Sequence, residues 1–306
     1  MAQREAQRER WVRGMVPQEG SKKAGGAGLE EWLLDKLRCP ACGRGGPEAG
    51  RTGVDLVCSS CGACYPVEEG VADLLPPGKR RLNLLQRSLG GTQSAAVYEH
   101  FRSSRLAAVL AGIPFATEEA MIVALLEPSA NDEVLDVACG PGNFTLGIAR
   151  AMNGGRIVAL DIARPMLVRA KSNLRGVNAA VGFVRGDAQD LPFRGETFTK
   201  VNCCGGLHLF PDPDAALTEI ARVLVPGGVF TGLSFVQGSG LLPRWMQGMG
   251  RTTLGVRFET LEQLAERLAR AGMHLSQGEV AGWVAIFKAN PVGPANSRKK
   301  DLEATR

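Results

Sequence analysis

Between residues 133 and 235, short apolar runs alternate with stretches whose apolar residues recur at helical spacing. The run Glu133 to Ala138 contains Val134, Leu135 and Val137, the near-continuous apolar pattern of a strand covered on both faces. Helix patterns follow over 143–152, 165–174 and 213–224, with Pro165 near the first turn of the second. Strand patterns occupy 156–160, 181–184, 200–204 and 229–235, and Pro226-Gly227-Gly228 closes the helix before the last of them. A helix over 261–271 and short strands over 274–279 and 283–287 complete the series. Such alternation predicts an α/β fold, a Rossmann-like doubly wound sheet of seven mostly parallel strands with ligands bound at their carboxyl ends. Upstream, 98–110 and 118–126 read as helices, the second N-capped by Thr117 and followed by Pro128. Leu33, Leu34 and Leu37 predict a short helix within 29–37.

The first strand runs into Cys139-Gly140-Pro141-Gly142-Asn143-Phe144-Thr145. Gly140 and Gly142 permit positive φ and let a ligand approach the backbone, so the turn presents N–H groups and a helix N-terminus to a nucleotide. A dinucleotide fold places a third glycine where this chain has Thr145. Asp161, about 20 residues on, stands where a ribose hydroxyl is gripped in either cofactor class.

Cysteine spacing changes the picture before residue 77. Cys39-Pro-Ala-Cys42 and Cys58-Ser-Ser-Cys61 are two C-x-x-C knuckles separated by fifteen residues, the pattern by which four thiolates enclose tetrahedral Zn²⁺. Gly43 and Gly62 follow the knuckles and suit their turns. A redox pair is the competing reading. Cys64 either substitutes for Cys61 as a ligand or is a buried spare thiol beside Tyr65, the reading preferred. Residues 1–28 and 290–306 read as disordered tails, 29–76 as a zinc ribbon, 77–95 as a linker and 96–289 as the α/β domain. The formal charge of +5 resides in the two tails, because 1–28 carry six Lys/Arg against three Glu and 290–306 carry four basic residues against two acidic. The folded middle therefore sums to zero, and the basic tails are a weak hint of nucleic-acid or membrane contact, more often simply solvated. No apolar run reaches the ~20 residues that span a bilayer, and the N-terminus lacks a signal-peptide core, so a cytoplasmic protein is expected.

Three sets of motifs carry a resemblance. "RCPACG…LVCSSCGACYPVEEGVADLLP" resembles zinc-ribbon proteins that partner methyltransferases, and the ribbon extensions of some bacterial and plastid methyltransferases. "VLDVACGPGNFT", "VALDIARPMLVRAK", "GDAQDLPFRGETFTKV" and "GGLHLFPDPDAALTEIARVLVPGGVF" resemble class I S-adenosylmethionine (SAM) methyltransferases, within the ubiquinone/menaquinone C-methyltransferase-like superfamily. The resemblance implies SAM as cofactor. It places Asp136, Ala138, Gly140, Pro141 and Gly142 at the methionine end, Asp161 on the ribose, Met166 on the adenine, Asp187 and Ala188 at the adenine amino group, and Tyr98 in a lid. His208 is the candidate general base, with packing as the alternative. Thr199 replaces an acidic residue that relatives carry before the fourth strand, which would remove a carboxylate from the substrate side. The motif used on exocyclic amines is absent from 203–208.

The expected activity is methyl transfer to a small, rather apolar acceptor, quinone-like or a secondary-metabolite ring, with the apolar segment 241–249 as its cover. Two alternatives remain: an rRNA or tRNA base methyltransferase whose ribbon reads RNA, with Lys79, Arg80, Arg81 and Arg87 contributing, and a non-catalytic module whose ribbon docks a protein partner.

Overall fold

The computed structural model describes residues 29–50, 55–76, 113–236, 258–281 and 283–293. Tyr98, the helix expected at 98–110, the linker 77–95 and the segment 241–249 lie outside the described residues, as do 1–28 and 294–306.

The predicted strands form as β5 (Glu133–Val137), β6 (Arg156–Asp161), β7 (Ala180–Arg185), β8 (Phe198–Cys204), β9 (Leu224–Phe235), β10 (Met273–Ala281) and β11 (Val284–Pro291). They lie in the order β7-β6-β5-β8-β9-β11-β10. The first five are parallel, and β11 is antiparallel to both its neighbours. The sheet does not stop there. Four N-terminal strands, β1 (Pro47–Ala49), β2 (Asp55–Cys58), β3 (Cys64–Glu68) and β4 (Val71–Asp73), continue it past β7 to give eleven strands. This corrects the seven-stranded expectation: β4 pairs in parallel with the edge of β7, so the cysteine-bearing segment extends the sheet instead of merely preceding it.

Among the described residues the helices are α1 (Glu31–Leu34), α2 (Phe115–Leu126), α3 (Asn143–Met152), α4 (Arg164–Asn173), α5 (Pro213–Val223) and α6 (Leu261–Arg270). Among them no helix is long and apolar enough to cross a membrane. Helix α2 has its N-cap at Pro114, three residues before the expected cap Thr117. Strand β9 runs through Pro226-Gly227-Gly228, where the register against β8 shifts between Phe198 and Lys200. The final strand carries ordered chain two residues past the expected domain end at 289.

Strand alternation divides the core. Val134, Ile157 and Ala159 face Ile148, Met152 and Leu167 on one side. Leu135, Val158 and Leu160 face the other, where Trp32, Leu33, Leu37, Tyr65 and Leu74 share a core with Phe193, Phe198 and Phe230. Gly182 is needed beneath this cover, because a Cβ there would come within 2.9 Å of Leu33. At the seam Lys36 and Arg156 pair with the two oxygens of Glu133 at 2.9 and 3.0 Å, and Lys36 and Glu133 are both buried.

The ion triad makes an asymmetric prediction. Glu133→Gln leaves the Lys36 ammonium buried without its counter-charge and should lower the unfolding free energy by about 3–5 kcal/mol. Lys36→Met keeps the stem's packing and leaves Arg156 on Glu133, so it should cost less than half as much. Urea unfolding of both variants measures the difference.

Candidate cofactor and metal sites

The carboxyl ends of β5, β6, β7 and β8 open onto one cavity. Residues Ala138 and Gly140 form its floor in the turn after β5, with φ of 55° and 56°. Gly142 ends that turn at φ 85° as the N-cap of α3, and a Cβ there would meet Ala170 at 3.1 Å. The β6 end contributes Leu160, Asp161, Ile162 and Ala163, and Met166 of α4 closes above them. Asp187, Ala188 and Gln189 come from the loop after β7, and Cys204 to Gly206, Leu209 and Phe210 from the segment after β8.

Two buried carboxylates organise this end of the sheet. Asp161 accepts from the N–H of Gly140 at 2.9 Å through one oxygen and from that of Ala163 at 2.8 Å through the other. A carboxylate oxygen has two lone pairs, so each keeps capacity for a ligand hydroxyl. Burial raises the Asp161 pKa against those backbone bonds. Asp136 lies beneath the turn, accepting from Thr145 Oγ1 at 2.5 Å and from Asn202 Nδ2 at 2.8 Å. Its complete burial pushes its pKa up to about 6, against the bonds from Thr145 and Asn202 and with the charge of Asp161. The hydroxyl of Thr145 thus sits where a dinucleotide fold wants a bare glycine.

Ala138, Gly140, Asp161, Met166, Asp187 and Ala188 are brought together in the cavity wall. Asp136, Pro141 and Gly142 stand behind it, and the Pro141 carbonyl accepts from Asn173 at 3.0 Å. His208 is not in the wall. It is buried in a short 3₁₀ turn, Leu207–Leu209, with its ring 4.3 Å from that of Phe235. Thr199 is at the opposite end of the sheet, donating to Asp132 at 2.8 Å and accepting from the Glu133 N–H at 3.1 Å. Its place at the start of β8 means that it removes nothing from the substrate side, contrary to the expectation. Sequence reasoning also missed Gln189, which donates through both its backbone and its side chain to Asp187 Oδ1, at 2.9 and 3.1 Å. Its position two residues past Asp187 was the available signal.

The Sγ atoms of Cys39, Cys42, Cys58 and Cys61 lie within 4.8 Å of one another. Cys39 and Cys61 are 3.7 Å apart and Cys42 and Cys58 3.8 Å. Zn–S bonds of about 2.3 Å in a tetrahedron require edges of about 3.8 Å, so the set fits the ion. Gly43 and Gly62, at φ 66° and 72°, return N–H groups to the Cys39 and Cys58 carbonyls, each at 2.8 Å. Tyr65 Oη is 3.1 Å from Cys39 Sγ and accepts from the Ala41 N–H at 3.3 Å. Burial opposes ionisation of Cys39, but this hydroxyl and nearby backbone N–H groups bring its pKa to about 6. Cys64 is exposed and outside the cluster, so it is neither a ligand nor the buried thiol expected.

The raised pKa of Asp136 has a definite sign. Its stabilising contribution is complete below about pH 3.8, the unperturbed value, and is lost as pH rises through about 6. Asparagine resembles the protonated acid and can keep both side-chain bonds. Asp136→Asn should therefore change stability little at pH 4 and raise it by about 3 kcal/mol at pH 7. Urea titrations at the two pH values measure this.

Residues 134–228 match the family model described as a methyltransferase domain. The demethylmenaquinone methyltransferase of Lactiplantibacillus plantarum is 39% identical over 108 residues, covering 34% of this chain and 46% of that one. An uncharacterized chloroplastic methyltransferase of Arabidopsis thaliana is 29% identical over 221 residues, 65% of this chain and 61% of its own. The chain spans roughly half the length of the curated relatives it matches. Among solved structures, phosphoethanolamine N-methyltransferase 2 of Haemonchus contortus, in complex with phosphomonomethylethanolamine and S-adenosylhomocysteine, superimposes with a TM-score of 0.55 at 16% identity. That match covers 68% of this chain and 59% of the other. The fold is the Rossmann-like one of these solved neighbours, and residues 134–228 match the methyltransferase-domain model.

Proposed function

We propose that this chain is a SAM-dependent methyltransferase acting on a small, rather apolar acceptor, a quinone-like or secondary-metabolite ring. One observation carries the reading: Asp161 and Asp187 line a single cavity together with Gly140 and the apolar Leu160, Met166, Leu209 and Phe210. Carboxylates set among apolar walls suit an adenosine with a charged tail.

Bound there, SAM would supply an electrophilic sulfonium methyl group, with S-adenosylhomocysteine as the neutral leaving group. Asp161 holds the ribose hydroxyls, and Asp187 accepts from the adenine amino group beside Ala188 and Met166. Asp136, through Thr145 and the turn at Gly140–Gly142, sets the floor under the methionine end. With a good leaving group already present, alignment of the two partners accounts for most of the acceleration. His208, packed on Phe235 behind the wall, serves the shape of the site on this reading, and a proton released by the acceptor passes to solvent.

The four thiolates hold a structural Zn²⁺ in the ribbon. The RNA alternative has less support: Lys36 and Arg38 of this segment point inward to Glu133, Asp190 and Glu219 and are not displayed for phosphate. The relatives' names favour quinone or lipid acceptors, since one is a demethylmenaquinone methyltransferase and another a fatty-acid O-methyltransferase.

Purified protein should bind S-adenosylhomocysteine, and Asp161→Ala should weaken that binding tenfold or more, as loss of charge-assisted hydrogen bonds does (about 1.4 kcal/mol per decade). Unchanged affinity in calorimetry would sink the cofactor assignment. Incubation with methyl-labelled SAM and a cell extract should place label in the lipid and small-molecule fraction; label in RNA would overturn the acceptor class. Elemental analysis should find one zinc per chain, lost on Cys39→Ser.

A further inference from the structure

The Arg38 side chain links the Cys39 knuckle to the loop that follows Asp187. Arg38, immediately before Cys39, directs Nη2 to Asp190 Oδ1 at 3.1 Å, to the Leu191 carbonyl at 3.2 Å and to Glu219 Oε2 at 3.4 Å. Its backbone N–H donates to the Pro192 carbonyl at 2.9 Å, and Leu37 forms an antiparallel bridge with Phe193. Glu219 in turn accepts from the Leu191 N–H at 2.9 Å and is gripped by Arg222, which also donates to the Leu191 carbonyl at 3.0 Å.

These partners are the downstream anchor of the loop that presents Asp187, Ala188 and Gln189 to the cavity. The Asp190 N–H returns to the Asp187 carbonyl at 3.1 Å, so the turn and its anchor are one unit. At the loop's upstream end Arg185 is paired with Asp73 of β4 at 2.6 Å and donates to the Ile162 carbonyl, in the cavity wall, at 3.0 Å. The loop therefore hangs between two arginine contacts to the cysteine-bearing segment, one donated by its Arg38 and one accepted by its Asp73 from Arg185 of β7.

We infer that Arg38 is a positioning residue for the cofactor: it holds residues 187–191 in the conformation that meets the adenine, so the cysteine-bearing segment is a working part of the cofactor site. This rests on the SAM reading given above. The side chain touches no cavity atom, so its effect passes through Asp190 and Leu191, and coupling through such a contiguous polar network is typically fivefold or more in affinity.

The test titrates the full-length protein with S-adenosylhomocysteine and with 5′-methylthioadenosine, which keeps the adenine and lacks the amino-acid end. Arg38→Ala should raise both dissociation constants by the same factor, about fivefold to thirtyfold. Arg38→Lys, which keeps the charge, should restore part of the loss. Asp190→Asn tests the same contact from the loop side and should weaken both ligands even if Arg38→Ala fails to fold. A lower melting temperature with both constants within twofold of wild type would overturn the inference and leave the cofactor reading intact. Loss confined to S-adenosylhomocysteine would also overturn it, because the adenine end would then be unaffected. Wild-type protein that binds neither ligand removes the cofactor reading and this inference together.

Discussion

The outer edge of β7 must find hydrogen-bond partners, and the rest of the structure follows from how it does so. An open parallel edge beside a ligand loop leaves unpaired N–H and C=O groups and invites association. Val71, Ala72 and Asp73 close that edge in register with Phe183, Val184 and Arg185. The pairing ends where the loop to Asp187 begins, and the Leu74 N–H takes the Arg185 carbonyl at 2.9 Å as the last rung. With β4 fixed there, β3, β2 and β1 continue the sheet beyond it, and Trp32 and Leu33 of α1 find Gly182 beneath them. The cover is apolar at its centre and ionic at its seam. Separating it from the domain would expose both a large apolar surface and the Glu133 charge.

A second constraint is the concentration of negative charge at the carboxyl ends. Asp136 and Asp161 are both buried, and burial raises both pKa values. Hydrogen bonds from Thr145, Asn202, Gly140 and Ala163 offset part of that cost. A cationic ligand would offset more, because its field favours the ionised forms. Relief of that burial cost is what such a site would gain from a positively charged ligand, and Cys139 and Cys203, with pKa values raised by burial and then by these same charges, stay as neutral thiols beside it.

Much of this was legible in the residues. The strand and helix series from 133 onward follows from apolar periodicity, and the turn at Gly140–Gly142 from two residues that tolerate positive φ. The four cysteines were readable because C-x-x-C spacing is local chemistry. What was not legible depends on distant partners. Nothing near Val71 announces a strand that will pair with Phe183 more than a hundred residues later, so an eleven-stranded sheet read as seven plus a separate ribbon. Thr199 looked like a substrate-side position until pairing of β8 with β5 placed it at the amino end beside Asp132. Pro226-Gly227-Gly228 reads as a stop signal, yet the strand passes through it because a register shift absorbs the extra residues.

Arg38 shows the same limit most sharply. Beside a metal knuckle, an arginine reads as a solvated or phosphate-seeking cation. Its three acceptors come from segments more than 150 residues away, and only their convergence gives it a task. The loop at 187–191 is closed on itself by the bonds of Gln189 and Asp190 to Asp187, and is gripped from outside at Asp190 and Leu191. In this chain that grip belongs jointly to Arg222 of the α/β domain and Arg38 of the cysteine-bearing segment, with Glu219 between them.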